Sequence, residues 1–198
     1  MISRRRALGL AATAAATVAA GASGCTSSDK KAISGADSDA DRSIRLLMAV
    51  ESTAIGVYER LLSEESQARR SLARVSKDVL ERCRQHHQEH LETWRKRFAD
   101  LKRPVRADVL SVAEDFFRQA EAAGTERDVL LVAGRVERVA GQTCIGRLAG
   151  MPSAADTVLV AGIAPVEYMH AATIGLLLND KLAAQPLAPM DAALAVNL

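Results

Sequence analysis

The apolar residues of this chain recur three or four positions apart along four long stretches, and no stretch shows the strict alternation of a half-buried strand. This period predicts four helices, which cover residues 41–64, 67–101, 126–149 and 153–179. Glycine and proline stand mainly between these stretches or at their ends, where helices begin and end. The pattern therefore predicts an all-α fold.

Each predicted helix carries acidic or imidazole side chains at the middle of its apolar stripe. These are Glu51 in the first helix, His87 and His90 in the second, Glu137 in the third, and Glu167 and His170 in the fourth. His86 and Glu89 fall outside the stripe of the second helix. A buried carboxylate is costly unless a cation or a donor pairs with it. Four helices that bring such groups together at mid-length are typical of bundles with a dinuclear metal site.

Any one of these residues has a simpler interpretation. A single glutamate in a helix usually faces solvent, and a single histidine on an apolar face is usually a hydrogen-bonded core residue. The metal hypothesis depends on their coincidence in all four stripes, and on Glu167 and His170 lying one turn apart on one face. Carboxylates can bridge two cations, and imidazoles are ligands that suit iron, manganese and zinc. We therefore expect these six residues to ligate iron or another divalent metal, at a mononuclear or dinuclear site.

The lengths of the connections indicate how the helices are arranged. The first and last connections are short, whereas about 25 residues join the second helix to the third and contain a short helical stretch of their own. Such a connection can travel the length of a bundle, so that the second and third helices run parallel. Gly134 and Gly141 lie inside the third helix, where glycine is unfavourable. They predict a close approach of a neighbouring helix near Glu137.

The first residues have the features of an export signal. Ser3 to Leu8 reads Ser-Arg-Arg-Arg-Ala-Leu, which is similar to a twin-arginine motif, and the Ala-rich stretch that follows is too short for a membrane span. Residues 22–25 then read Ala-Ser-Gly-Cys, which resembles a lipobox and predicts lipidation of Cys25. The alternative is an ordinary signal peptide cut near Ala20. The predicted organisation is a signal peptide at 1–24, a flexible tether at 25–41, the bundle at 42–180 and an extended tail at 181–198.

Charge and cysteine content narrow the function classes. The formal net charge is +2, of which Arg4, Arg5 and Arg6 supply +3, so the chain without its first 24 residues carries −1. This near-neutral charge gives no support for nucleic-acid binding.

Export would permit a disulfide between Cys83 and Cys144. However, parallel second and third helices with His90 and Glu137 level would separate these cysteines by about 21 Å. A disulfide needs Cα atoms within about 7 Å, so we predict that they are not bonded to each other.

Four segments of the chain resemble the ferritin-like domain proteins, and among them the exported, twin-arginine-targeted kind. The segments are Leu46 to Tyr58, His86 to Leu91, Arg135 to Ala140 and Ile163 to Ala172. In that family, single glutamates stand on helices 1 and 3, and Glu-x-x-His motifs stand on helices 2 and 4. By this resemblance, the matching residues are Glu51, His90, Glu137, Glu167 and His170. His87 departs from the pattern, because it stands where the family has a glutamate.

The resemblance implies a ferritin-like four-helix bundle with one long crossover connection, and a di-iron or similar site that supports redox chemistry with oxygen or peroxide. His87 removes one bridging carboxylate, which leaves a weakened, mononuclear or differently selective site, or the loss of catalysis, as alternatives. A structural or partner-binding bundle with a vestigial site is the second hypothesis. We expect the protein to lie in the cell envelope or periplasm and to be attached to the membrane by its lipid. A homodimer is one alternative for its oligomeric state, and we expect no nucleic-acid partner.

Overall fold

The structure is a computed structural model that describes residues 39–100 and 112–179. Its helices are α1 (Asp39–Leu61), α2 (Gln67–Ser71), α3 (Arg74–Asp100), α4 (Ala113–Ala122), α5 (Glu126–Arg147) and α6 (Ala154–Leu177), with a short 3₁₀ turn at Leu148–Gly150. These described ranges contain no strand. The predicted all-α fold is confirmed.

Two apolar clusters at opposite ends of the bundle give the helix directions. One cluster joins the end of α1 and the end of α6 to the beginnings of α3 and α5, and includes Val57, Leu61, Leu80, Leu130 and Ile174. The other joins the beginnings of α1 and α6 to the ends of α3 and α5, and includes Ile44, Leu47, Trp94, Phe98, Cys144 and Val160. Because α3 and α5 begin at the same end, they run parallel, as the long crossover predicts.

The crossover helix α4 lies against the bundle. Ala113 of α4 is buried in a third small cluster with Leu46 and Val50 of α1 and Ala140 of α5, and Phe117 packs against it. The guanidinium of Arg60 lies 3.9 Å from the centre of the Phe117 ring, which is a cation–π distance. These contacts fix α4 on the outside of α1 and α5.

The prediction of one continuous helix at 67–101 is wrong, because the structure divides this stretch into α2 and α3. α2 ends at Ser71, and Leu72 takes an extended conformation with φ −73° and ψ 131°. The Ser71 hydroxyl donates to the carbonyl of Ala68 at 2.7 Å, and such local bonds compete with helix propagation. Leu72 thereby packs against the first apolar cluster. α1 also begins two residues earlier than predicted and ends at Leu61.

Capping fixes where α5 and α6 begin. The Thr125 hydroxyl accepts from the backbone of Asp128 and the Asp128 carboxylate accepts from the backbone of Thr125, which is a capping box. At the start of α6, the Ser153 hydroxyl accepts from the backbone N–H of Asp156. The buried Asp156 carboxylate also pairs with Arg97 of α3, and this bond holds its pKa below the usual range. The ion pair between Asp156 and Arg97 links α6 to α3.

The glycines of α5 allow α6 to approach closely, as predicted. A Cβ added to Gly141 would lie 3.0 Å from the Tyr168 ring, and one added to Gly134 would lie 3.3 Å from Ile174. Both neighbours belong to α6. The close approach brings the carboxylates of α5 and α6 to the same level of the bundle.

We expect Gly141→Ala to be less stable than Gly146→Ala by about 1–3 kcal/mol, the usual cost of overpacking. Both substitutions lie in α5, and alanine is preferred to glycine by about 1 kcal/mol inside a helix. Only Gly141 faces a ring, because nothing lies within 4 Å of a Cβ on Gly146. Urea denaturation of the two variants and the wild type measures the difference. Equal stability of the two variants would contradict the close packing of Tyr168.

Cys83 and Cys144 are both buried and free. Cys83 belongs to the first apolar cluster and Cys144 to the second, at opposite ends of the bundle. The prediction that they are not bonded to each other is confirmed.

Within the described residues, α6 is the one helix long and apolar enough to cross a membrane by length and composition. It packs along α5 and carries the buried Glu167 and His170 near its middle. We therefore interpret α6 as a core helix of the bundle. The predicted signal peptide, Cys25, nearly all of the predicted tether and the predicted tail at 181–198 lie outside the described residues.

Candidate metal centre

The structure brings together the six side chains singled out from the sequence. They come from four helices, with Glu51 on α1, His87 and His90 on α3, Glu137 on α5, and Glu167 and His170 on α6. The side chains of Glu51, His87, Glu137 and Glu167 are at most 1% exposed, whereas those of His90 and His170 are 15% and 7% exposed. The cluster therefore lies inside the bundle and is nearest to solvent on its α3 and α6 side.

His87 lies at the centre of the cluster and contacts carboxylates with both ring nitrogens. Its Nδ1 is 2.6 Å from Glu51 Oε2, and its Nε2 is 3.3 Å from Glu137 Oε1. Burial alone would lower the pKa of His87, but the nearby Glu137 and Glu167 raise it well above its ordinary value. Burial would likewise raise the pKa of Glu137, and His87 together with His170 lowers it well below the usual range. Without a metal, a protonated His87 therefore pairs with the carboxylates around it.

His90 and His170 each face Glu167 and one further carboxylate. His90 Nδ1 lies 2.9 Å from Glu167 Oε1 and 3.6 Å from Glu51 Oε1. His170 Nδ1 lies 3.1 Å from Glu137 Oε2 and 3.4 Å from Glu167 Oε2. Burial opposes the charged imidazole in both cases. Glu167 and Glu51 nevertheless raise the pKa of His90 to about 9, and contacts with Cys83, Glu137 and Glu167 raise that of His170 to about 11.

Three polar atoms of the cluster are buried without a hydrogen-bond partner among the described residues. These are His90 Nδ1 and both carboxylate oxygens of Glu167. His90 Nδ1 and Glu167 Oε1 are close enough for an ion pair, yet their orientation is not that of a hydrogen bond. Poor angles weaken a hydrogen bond even at a short distance. Unsatisfied buried polar atoms are rare in proteins, and a cation bound between these atoms would satisfy them.

The donor atoms form two overlapping groups. One comprises Glu51, His87, His90 and Glu167, and the other comprises His87, Glu137, Glu167 and His170. Within each group the ligand atoms lie within 4.8 Å of one another. Glu167 and His87 belong to both groups. The arrangement therefore offers two adjacent positions for a cation, which share the carboxylate of Glu167.

The donor chemistry fits a divalent metal. Three carboxylates and three imidazoles are ligand types that iron, manganese and zinc accept. The same set is electrically neutral when all three imidazoles are protonated, so metal binding must release protons. Two divalent cations would exceed the charge of three carboxylates by one. This charge balance favours one tightly bound metal over two.

Tyr58 supports Glu137 from the side of the first apolar cluster. Its hydroxyl donates to Glu137 Oε1, and burial and then Glu137 raise the pKa of Tyr58 well above its ordinary value. The hydroxyl therefore stays protonated and can orient the carboxylate. Gln142, the other side chain that could support the cluster, is buried, and its Oε1 has no hydrogen-bond partner among the described residues.

His86 is the residue that the sequence analysis placed outside the stripe but that contacts the cluster. Its Nδ1 lies 2.9 Å from His170 Nε2, and the two rings stack with centroids 5.0 Å apart. His86 is half-buried at the surface. The available signal was its position next to His87, about 100° around the helix. This position allows contact with a helix that packs beside the stripe.

Comparison with known families agrees with the all-α fold. The family model described as "Ferritin-like domain" matches residues 39–180, which include all six residues of the cluster. No curated protein and no solved structure matched the chain. Since the matched residues make up more than half of the chain, the protein belongs to the ferritin-like domain family.

Proposed function

We propose that this protein is an exported, lipid-anchored ferritin-like protein that binds iron or another divalent metal at the six-residue cluster and uses it in redox chemistry with oxygen or peroxide. The observation that carries the proposal is the convergence of donors from four helices around three buried, unsatisfied atoms, His90 Nδ1 and the two oxygens of Glu167.

The residues of the chain have distinct roles in it. Glu167 provides the carboxylate common to both donor groups, while Glu51 with His90 and Glu137 with His170 complete one group each. Tyr58 holds Glu137 by a hydrogen bond. The apolar clusters above and below the site exclude water from both ends of the bundle. Iron, when bound, would supply one-electron chemistry with a small oxidant, which could arrive from the α3 and α6 side.

A second candidate function rests on His87. Its two nitrogens already contact two carboxylates, so the imidazolium can balance their charge in place of a metal ion. This favours a structural or partner-binding bundle that keeps remnants of the site. Elemental analysis of protein purified from the exported fraction distinguishes the two. The proposal expects about one metal per chain, together with faster oxidation of iron(II) by oxygen or peroxide than in buffer. Stoichiometric metal without this oxidation would leave metal binding intact and overturn the redox part.

Metal affinity should increase as the pH rises from about 6.5 towards 9. Protons compete with metal for the imidazoles, and the pKa of His90 in the metal-free protein is raised to about 9.

The stability of the metal-free protein should instead decrease as the pH rises. A raised folded pKa stabilises the metal-free bundle below the unfolded value of about 6.5, and this contribution is lost as the pH passes about 9 for His90 and about 11 for His170. Denaturation curves with and without Zn²⁺ across this range measure both trends. A metal-free stability that does not change with pH would contradict the charged imidazoles.

Membrane attachment should depend on Cys25. The small residues at 22–24 and the arginines before them are the basis for this expectation. Wild type should carry a lipid-sized mass increase on Cys25 and sediment with membranes. Cys25→Ser should be unmodified, whereas Ser28→Ala, a neutral change in the predicted tether, should behave like wild type. A soluble wild-type protein cut near Ala20 would show instead an ordinary signal peptide.

A further inference from the structure

We propose that His86 is a positioning residue for the metal centre, which accepts a hydrogen bond from His170 Nε2–H and so holds His170 Nδ1 towards the carboxylates. This inference rests on the proposed metal-binding function. The geometry that carries it is the contact of 2.9 Å between His86 Nδ1 and His170 Nε2, on the side of the ring opposite to the contacts with Glu137 and Glu167.

The direction of this hydrogen bond determines whether His170 can bind a metal. A neutral imidazole has one N–H and one free lone pair. If His86 Nδ1 accepts, the proton of His170 is on Nε2, and Nδ1 has the lone pair that a metal needs. If His86 donated instead, a neutral His170 would be protonated on Nδ1, the nitrogen that faces the cluster, and could not ligate.

The surroundings of His86 favour the accepting role. A metal held by His170 Nδ1 would leave the ring proton on Nε2, which lies 2.9 Å from His86 Nδ1, so this nitrogen is placed to accept it. The stacked rings, tilted by 24° with centroids 5.0 Å apart, further restrict rotation of His170. Ligating histidines generally use their second nitrogen in this way, and loss of the partner typically weakens metal affinity 10–100-fold. Here the partner is an imidazole of the neighbouring helix α3.

The test compares His86→Ala, His86→Asn and Gln88→Ala in the full chain. The asparagine oxygen can take the place of Nδ1 as acceptor, and Gln88 is an exposed neighbour on α3. We expect His86→Ala to bind Co²⁺ about 10–100-fold more weakly, with a changed visible absorption spectrum. His86→Asn should recover most of the affinity and the wild-type spectrum, and Gln88→Ala should match wild type. Wild-type affinity in His86→Ala, or equal losses in His86→Ala and His86→Asn with an unchanged spectrum, would overturn the inference.

A second readout separates this inference from the metal itself. In the metal-free protein, the His170 Nε2 proton should give a slowly exchanging NMR resonance, which disappears in His86→Ala and persists in His86→Asn. If wild type bound no Co²⁺ but showed this resonance, the proposed function would fail while the bond between the two rings stood. If the resonance were absent from wild type, the positioning role of His86 would be wrong even in a protein that binds Co²⁺.

Discussion

His87→Glu is expected to destabilise the metal-free bundle by about 3–5 kcal/mol, the usual cost of leaving buried charges without a partner. The substitution removes the imidazolium that contacts Glu51 and Glu137 and adds a fourth carboxylate to three that are almost fully buried. It also restores the glutamate that the family pattern has at this position. The variant should therefore bind a second metal ion, or bind the first more tightly, and recover its stability when metal is added.

Denaturation and metal titration of wild type and His87→Glu measure both effects. His87→Gln is the matched control, because it removes the imidazole without adding a charge and should gain no second metal. If the bundle is only structural, His87→Glu should lose stability and bind nothing. Unchanged stability and unchanged metal content would contradict the central position of His87.

Glu167→Gln is expected to reduce metal binding to background. Glu167 belongs to both donor groups, so neither half of the site can compensate for its loss, and the effect should exceed the 10–100-fold typical of residues that only support a ligand. The amide has nearly the shape of the carboxylate, and metal-free Glu167→Gln should still fold. The matched control is Glu89→Gln, because Glu89 is exposed on α3 and should not affect metal content. Equal metal content in Glu167→Gln and wild type would exclude the shared carboxylate from the site.

The six residues of the cluster could be predicted because helical periodicity selects one face, and burial of charged groups on that face demands a partner. Connection lengths likewise predicted the parallel arrangement of α3 and α5. Periodicity of one helix does not show which neighbouring helix leans against the edge of its stripe, and His86 was missed for this reason. It also did not anticipate the break at Leu72, which depends on the local bond of Ser71 and on packing against the apolar cluster.

Small rotations of the helices explain the remaining differences. Ile55 lies one turn from Glu51 and Leu159 one turn from Ile163, on the face that the period predicts to be buried, yet both are only half-buried, while Val160 is fully buried. One position along a helix turns a side chain by about 100°, so the outcome at the edge of a stripe depends on how neighbouring helices cross. The centre of the stripe is less sensitive, and there the residues Glu51, His87 and Glu137 are buried as expected.

Anomalous diffraction tests the metal centre most directly, with crystals of the protein grown with Zn²⁺ and data collected on both sides of the zinc absorption edge. We expect an anomalous peak inside the bundle, about 2 Å from His90 Nδ1 and from an oxygen of Glu167. A fully occupied zinc elsewhere on the chain, with His87 still bonded to Glu51 and Glu137 and no peak at the cluster, would contradict it.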